Sequence, residues 1–232
     1  MLNRSFIAAL LALSAAHAHA IQTVEYGWED GRGTILGGFG NLVDASNVTG
    51  AQTGSTGSGS YGVPGAHSGD RFLHVAEAPH SGTPQAYLAM VGGLVSGDVV
   101  TASFFGYDLS AGGSPSLRIW AHYADSADIA SYLGSAGGND AFTDGSGWSE
   151  VGHQWTFDNA AADALVIEAR LYSSPATDAT ARSDYWIDSL RVSAPDTAHI
   201  ATAAAVPEPR GYAMLLAGLG MIGLTAARRS RR

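Results

Sequence analysis

Residues 164–172 read ALVIEARLY, and the fold follows from how those nine letters alternate. Leu165, Ile167, Ala169 and Leu171 fall on one side of an extended chain, and Glu168, Arg170 and Tyr172 on the other. A helix would mix the two sets around its circumference, whereas a strand separates them. The segment is therefore predicted to be a strand with one face in a core and the other turned outward. SLRIWAHY at 116–123 repeats the pattern, with Leu117, Ile119 and Ala121 inward and Arg118, Trp120 and His122 outward.

Working outward from these two, helical periodicity is almost absent between Ile21 and Ala194. Short β-rich runs alternate with Gly, Ser, Asp and Asn clusters instead. Strands are predicted at Thr23–Trp28, Arg71–Ala76, Gln85–Val91, Val99–Tyr107, Leu117–Tyr123, Ser149–Phe157, Ala164–Tyr172 and Tyr185–Val192. Eight strands in one domain of this size predict an all-β, two-sheet jelly-roll sandwich. Gly31–Gly69, with GAQTGSTGSGSYG near its middle, and Ser126–Gly147 read as two long loops.

The ends of the chain read as processing segments. Arg4, the apolar run Phe6–Ala16 and the small-x-small site Ala18-His19-Ala20 make residues 1–20 a predicted secretory signal peptide. Residues 21–195 are the predicted β domain and 196–206 a small-residue linker. Over Ile21–Val206, 20 acidic residues stand against six arginines, and the chain has no lysine. A body so acidic is repelled by nucleic acid, which excludes DNA or RNA as a partner. The absence of cysteine excludes disulfides, zinc–thiolate sites and thiol catalysis.

Residues 207–232 carry three features in order. Pro207-Glu208-Pro209 cannot join a helix or a sheet, because two prolines fix φ and withhold N–H donors. Residues 211–227 are uncharged and, as a helix, reach about 25 Å, the short end of a bilayer span. Arg228, Arg229, Arg231 and Arg232 follow and would stay cytoplasmic, leaving the body on the outer side. This order closely resembles the PEP-CTERM sorting signal, also catalogued as an ice-binding protein C-terminal domain. The resemblance covers Val206–Arg232. It implies recognition by exosortase, transient anchoring in the inner membrane of a Gram-negative bacterium, cleavage near Pro207–Pro209, and release to the cell surface or extracellular matrix. A permanent anchor would leave Pro-Glu-Pro unexplained. A sortase signal would need a Leu-Pro-x-Thr-Gly-like site, and a GPI signal normally lacks a basic finish.

The body carries a second resemblance. YGWEDG at 26–31, HSGDRFLHV at 67–75 and DYWIDSLRV at 184–192 resemble galactose-binding-like jelly rolls, among them carbohydrate-binding modules of the family 4/9 type. The resemblance implies a calcium ion joining the first and last strands, with Glu29, Asp70 and Asp188 as ligands; hard oxygen donors suit that ion. The alternative for all three is a solvated carboxylate near a turn.

For function, the outward residues of the two opening strands matter most. Sugar rings stack on aromatic faces while charged and amide groups bond the hydroxyls. Arg118, Trp120 and His122 on one strand, with Glu168, Arg170 and Tyr172 on the other, form a sugar-binding patch if the strands are neighbours. Trp120 reads equally as packing, the commoner fate of tryptophan. Glu168 with Arg170 two positions on reads as a surface ion pair. Were the protein a glycosidase, Glu150 and Glu168 are its paired-carboxylate candidates, but no histidine spacing or nucleophile motif supports catalysis. The expectation is an exported, non-catalytic β-sandwich binding exopolysaccharide. A glycan-active enzyme and a purely structural surface protein are the alternatives.

Overall fold

The computed structural model describes residues 20–55, 60–79, 83–108, 116–139, 147–172 and 182–203. The signal segment and the tail, including Pro207, Glu208, Pro209, Arg228 and Arg229, lie outside them. Among the described residues there are strands and no helix, hence no helix long and apolar enough to cross a membrane.

The strands are β1 (Ile21–Tyr26), β2 (Gly37–Phe39), β3 (Leu42–Thr49), β4 (Gln52–Ser55), β5 (Ser60–Val63), β6 (Arg71–Glu77), β7 (Gln85–Gly92), β8 (Val99–Asp108), β9 (Ser116–Ala124), β10 (Ser135–Gly138), β11 (Gly147–Thr156), β12 (Ala164–Tyr172), β13 (Ser183–Pro195) and β14 (His199–Thr202). One sheet runs β11-β8-β13-β6-β3, with β1 also on β13. The other runs β10-β9-β12-β7-β14, with β2 also on β7. All pairings are antiparallel. The two sheets form the jelly-roll sandwich expected from the alternating strands.

Alternation places the core. Leu165, Ile167, Ala169 and Leu171 from β12, Leu117, Ile119 and Ala121 from β9, and Val100, Ala102 and Phe104 from β8 meet between the sheets. Tyr185, Ile187 and Val192 from β13 join them, closing a layer that keeps water from every inward side chain.

Three expectations need correcting. Gly31–Gly69 is not one long loop: it contains β2 to β4 and β5, because Asn, Ser, Thr and Gly form ladders once an edge is offered to them. Ser126–Gly147 contains β10, which pairs with β9. The predicted linker contains β14, whose residues His199–Thr202 pair with β7, so the sandwich continues beyond residue 195.

The outward strand faces are not simply solvent faces either. Val63, Phe72, Tyr107 and Trp186 cluster on the outside of the first sheet, beneath the β4–β5 hairpin. Tyr87, Ala124, Ala164 and Val166 cluster on the outside of the second, with Leu36, Met90 and Ile129 over them. Each sheet thus carries a partial third layer.

Candidate functional site

Strand β12 lies between β9 and β7, and register fixes what shares its outer face. Glu168 stands opposite Trp120 on β9 and Tyr87 on β7, Arg170 opposite Arg118 and Gln85, and Val166 opposite His122. Cross-strand partners point to the same side of a sheet. Arg118, Trp120, His122, Glu168 and Arg170 are therefore brought together as the alternation required. The Tyr172 side chain lies outside the described residues. A register shift between Ile167 and Glu168 makes Leu88 an extra residue on β7. Leu88 and Ala89 both enter the core, and Tyr87 turns out beside Glu168.

The expected surface ion pair is instead buried. Glu168 is 0% exposed and His122 1%, because the partial third layer covers them. Glu168 Oε1 lies 2.7 Å from His122 Nδ1, and Oε2 accepts from Arg170 Nε at 3.0 Å. The Arg170 guanidinium sits 4.7 Å above the Trp120 ring, and Trp120 Nε1 donates to Ser135 Oγ at 2.9 Å. One face of the indole is thus covered by a cation and its N–H is engaged. The His122 ring contacts two tyrosines, Tyr87 at 5.2 Å and Tyr132 at 5.5 Å between centroids. Its Nε2 is buried and, among the described residues, has no hydrogen-bond partner. Burial pushes the Tyr87 phenol up, and the Glu168 charge pushes it further against the opposing pull of Arg170, so Tyr87 stays protonated.

Above this cluster opens a cleft of about 490 Å³, lined by Phe39, Gln85, Tyr87, Ala130, Tyr132 and Arg170. Phe39 is 65% exposed and Tyr132 63%. Both positions are set by backbone bonds. Phe39 pairs with Gln85 across β2 and β7. Tyr132 is flanked by the reciprocal bonds Leu133 N–H to Tyr123 O and Tyr123 N–H to Gly134 O, each 2.8 Å. The same loop is anchored by Ser126, whose N–H and hydroxyl donate to Asp163 at 2.7 and 2.6 Å. Gln85, Tyr87, Phe39 and Tyr132 were missed in the sequence. The alternation of QAYLAMVG held the signal for Gln85 and Tyr87; Phe39 and Tyr132 sit in segments read as loops, where no periodicity marks them.

The outer face of the first sheet carries a second histidine–carboxylate cluster. Asp184 Oδ1 lies 2.9 Å from His74 Nε2 and accepts from Arg182 Nε at 2.8 Å, while Oδ2 accepts from the Ser55 N–H at 2.8 Å. His74 Nδ1 is 3.3 Å from Ser46 Oγ and 3.5 Å from Asp44 Oδ2. Burial raises the Asp184 carboxyl, but the bonds from His74, Arg182 and Ser55 outweigh it and leave it below the ordinary value of 3.8.

The calcium-ligand set is not assembled as expected. Glu29 Oε1 accepts from the N–H groups of Asp70 at 3.0 Å and Arg71 at 2.9 Å. Asp188 accepts from those of Ser68 at 2.9 Å and Ser189 at 2.6 Å. Among the described residues no three His, Cys, Asp or Glu side chains come together where a metal ion could sit. Backbone amides meet the Glu29 and Asp188 carboxylates. Nor do Glu150 and Glu168 pair: Glu150 is on β11 of the first sheet, lining a cleft with Glu25 and Glu29, while Glu168 faces outward from the second. Pointing away from opposite faces of the sandwich, they cannot flank one bond.

No family model matches the chain, and no curated protein matches it. Among solved structures it is similar to the CBM22-1 xylan-binding domain of Paenibacillus barcinonensis Xyn10C, at 17% identity over 78% of this chain and 98% of that one, TM-score 0.40. The CBM22-2 domain of the same protein matches at 15% identity over 74% and 98%, TM-score 0.42. CBM27-1 of Caldicellulosiruptor saccharolyticus, solved with mannohexaose, matches at 11% identity over 74% and 97%, TM-score 0.39. At such values the chemistry of the cleft has to be taken from this chain's own residues.

Proposed function

We propose that the protein is an exported β-sandwich that binds a polysaccharide in the cleft over β7, β9 and β12. The observation that supports this most is where the exposed aromatics lie. Among the described residues, Phe39 and Tyr132 are the large aromatic side chains left substantially in water, and both line the same cleft. Exposed rings scattered singly are ordinary, whereas rings that converge mark an interaction site. Here they frame Arg170, Gln85 and the Tyr87 phenol, which supply the polar contacts that orient a ring stacked between them. The carbohydrate-binding role sketched from Arg118, Trp120, His122, Glu168 and Arg170 is recast. Phe39 and Tyr132 stack, Arg170 reaches the ligand, and Trp120 and Glu168 hold Arg170 in place. Export rests on the sequence of residues 1–20, and delivery to the cell surface or matrix by exosortase on Val206–Arg232. The producer's own exopolysaccharide is the natural ligand for a protein so routed.

Affinity electrophoresis through xylan, galactomannan, β-glucan and the producer's exopolysaccharide tests the binding role. Wild type should be retarded in at least one gel, and Phe39→Ala with Tyr132→Ala should release it without changing the urea midpoint. Free migration of the wild type in every gel would exclude this function. Intact-mass analysis of the envelope protein tests the routing: cuts after Ala20 and near Pro207–Pro209 are expected, and a sole full-length species ending at Arg232 contradicts them.

A glycan-active enzyme is the second reading, favoured by the carboxylate-oriented His122. It predicts release of reducing ends or unsaturated products from a bound polysaccharide, absent in Glu168→Gln.

A further inference from the structure

Granting that the cleft takes a polysaccharide, we propose that His122 Nε2 is a ligand-contacting acceptor. It waits behind Tyr132 for a sugar hydroxyl and thereby selects a neutral, polyhydroxylated chain over an anionic one.

The tautomer follows from the neighbours. Glu168 is held between the Arg170 guanidinium and the His122 ring, and an ionised carboxylate can only accept. In the neutral ring Nδ1 therefore carries the proton at 2.7 Å from Oε1, and Nε2 presents a bare lone pair. That lone pair is buried without a partner, an arrangement proteins normally avoid. The companion cluster shows the contrast, since both ring nitrogens of His74 are within reach of polar oxygens.

The groups around His122 decide how a ligand could reach it. Glu168 and Arg170 approach from β12, Tyr87 from β7, Tyr132 from the segment between β9 and β10, and Ser135 stands opposite on β10. Glu168 is fully buried and Tyr87 is wedged into the outer cluster. Tyr132 is mostly in water, so swinging its ring aside costs little packing. It also lines the cleft, so a turn of its ring that keeps one face on the ligand opens His122 towards a bound chain.

A hydroxyl that donates to Nε2 can have its neighbour accept from Arg170, whose side chain lines the same cleft. Two adjacent groups, one donating and one accepting, describe a vicinal diol. An ionised carboxylate or sulfate has no proton to give Nε2, and a uronate chain, which keeps its hydroxyls, is repelled by a body with 20 acidic residues against six arginines.

Long-range ¹H–¹⁵N spectra of the histidine rings, recorded on wild type with oligosaccharides from xylan, galactomannan or β-glucan and from alginate or polygalacturonate, read the contact directly. Without ligand, His122 should show a protonated Nδ1 and a bare Nε2. A neutral oligosaccharide that binds should shift the Nε2 resonance as the lone pair is engaged, and the acidic ones should not bind. His122→Asn keeps an N–H towards Glu168 but lacks Nε2, and should bind about tenfold more weakly. The wild-type spectra stand even if that variant does not fold. A neutral ligand retained with no change at Nε2, or acidic ligands bound equally well, would overturn this role while leaving glycan binding intact. No binding of any kind would remove the cleft function and this role together.

Discussion

The two sheets carry near-duplicate polar clusters on their outer faces, finished differently. On the first sheet, Asp184 is held by His74 and by Arg182 two residues before it, and the β4–β5 hairpin closes over them with the Ser55 N–H. On the second, Glu168 is held by His122 and by Arg170 two residues after it, and among the described residues no hairpin closes over them. Instead there is a cleft with two exposed aromatic rings at its margins. In one cluster both histidine nitrogens have polar neighbours; in the other one nitrogen has none. The same three side-chain chemistries act as a clasp beneath a hairpin and as a buried floor beneath an open cleft.

The largest expected effect comes from breaking either buried carboxylate. Glu168→Ala strips the partner from a partly buried guanidinium and a buried imidazole, and should cost about 3–5 kcal/mol in a urea melt. A cost below about 1 kcal/mol would mean the second cluster is solvated and the comparison false. Gly54→Ala should come next. A methyl group there overlaps the Trp186 ring and crowds Asp184, lifting the hairpin from the first cluster at about 1–3 kcal/mol. Polysaccharide retention should not change, since the cleft is on the other sheet.

Acid sharpens the contrast. The Asp184 carboxyl is held below 3.8 in the folded protein, so its ionised form favours folding. That contribution is fully present above the unfolded value and is lost as pH falls through the lowered folded one. The stability advantage of wild type over Asp184→Asn should therefore hold at pH 7 and fade below about pH 4; a difference independent of pH would contradict the clasp. The smallest effect should be calcium's. With Glu29 and Asp188 already bonded by backbone amides, its addition should leave the melting temperature unchanged. A rise seen in wild type and absent in Asp188→Ala would place a metal there after all.

Where the sequence was legible, the reason was period. Leu165, Ile167 and Ala169 alternate cleanly, so β12, its core face and its outward set could be read directly, as could β9 beside it. Glu168 and His122 were read as outward and are outward, yet they are buried. Alternation reports which side of a sheet a residue takes, not whether something lies over that side. The covering pieces have no period of their own: β2 is Gly-Gly-Phe, β4 is Gln-Thr-Gly-Ser, and the segment carrying Tyr132 is held by turns and by Ser126 on Asp163. Phe39 and Tyr132 were invisible for the same reason, and the backbone amides that meet Glu29 leave no mark in the sequence.

One cluster lies beneath an open cleft and the other beneath a hairpin. Amide and side-chain shift mapping of the ¹⁵N-labelled body, titrated with fragments of whichever polysaccharide retards it, reads both clusters at once. The shifts should gather at Phe39, Gln85, Tyr87, Tyr132 and Arg170 and spare Ser55, His74, Arg182 and Asp184. Shifts centred on the hairpin side, or spread evenly over both sheets, would contradict the assignment of binding to the open cleft.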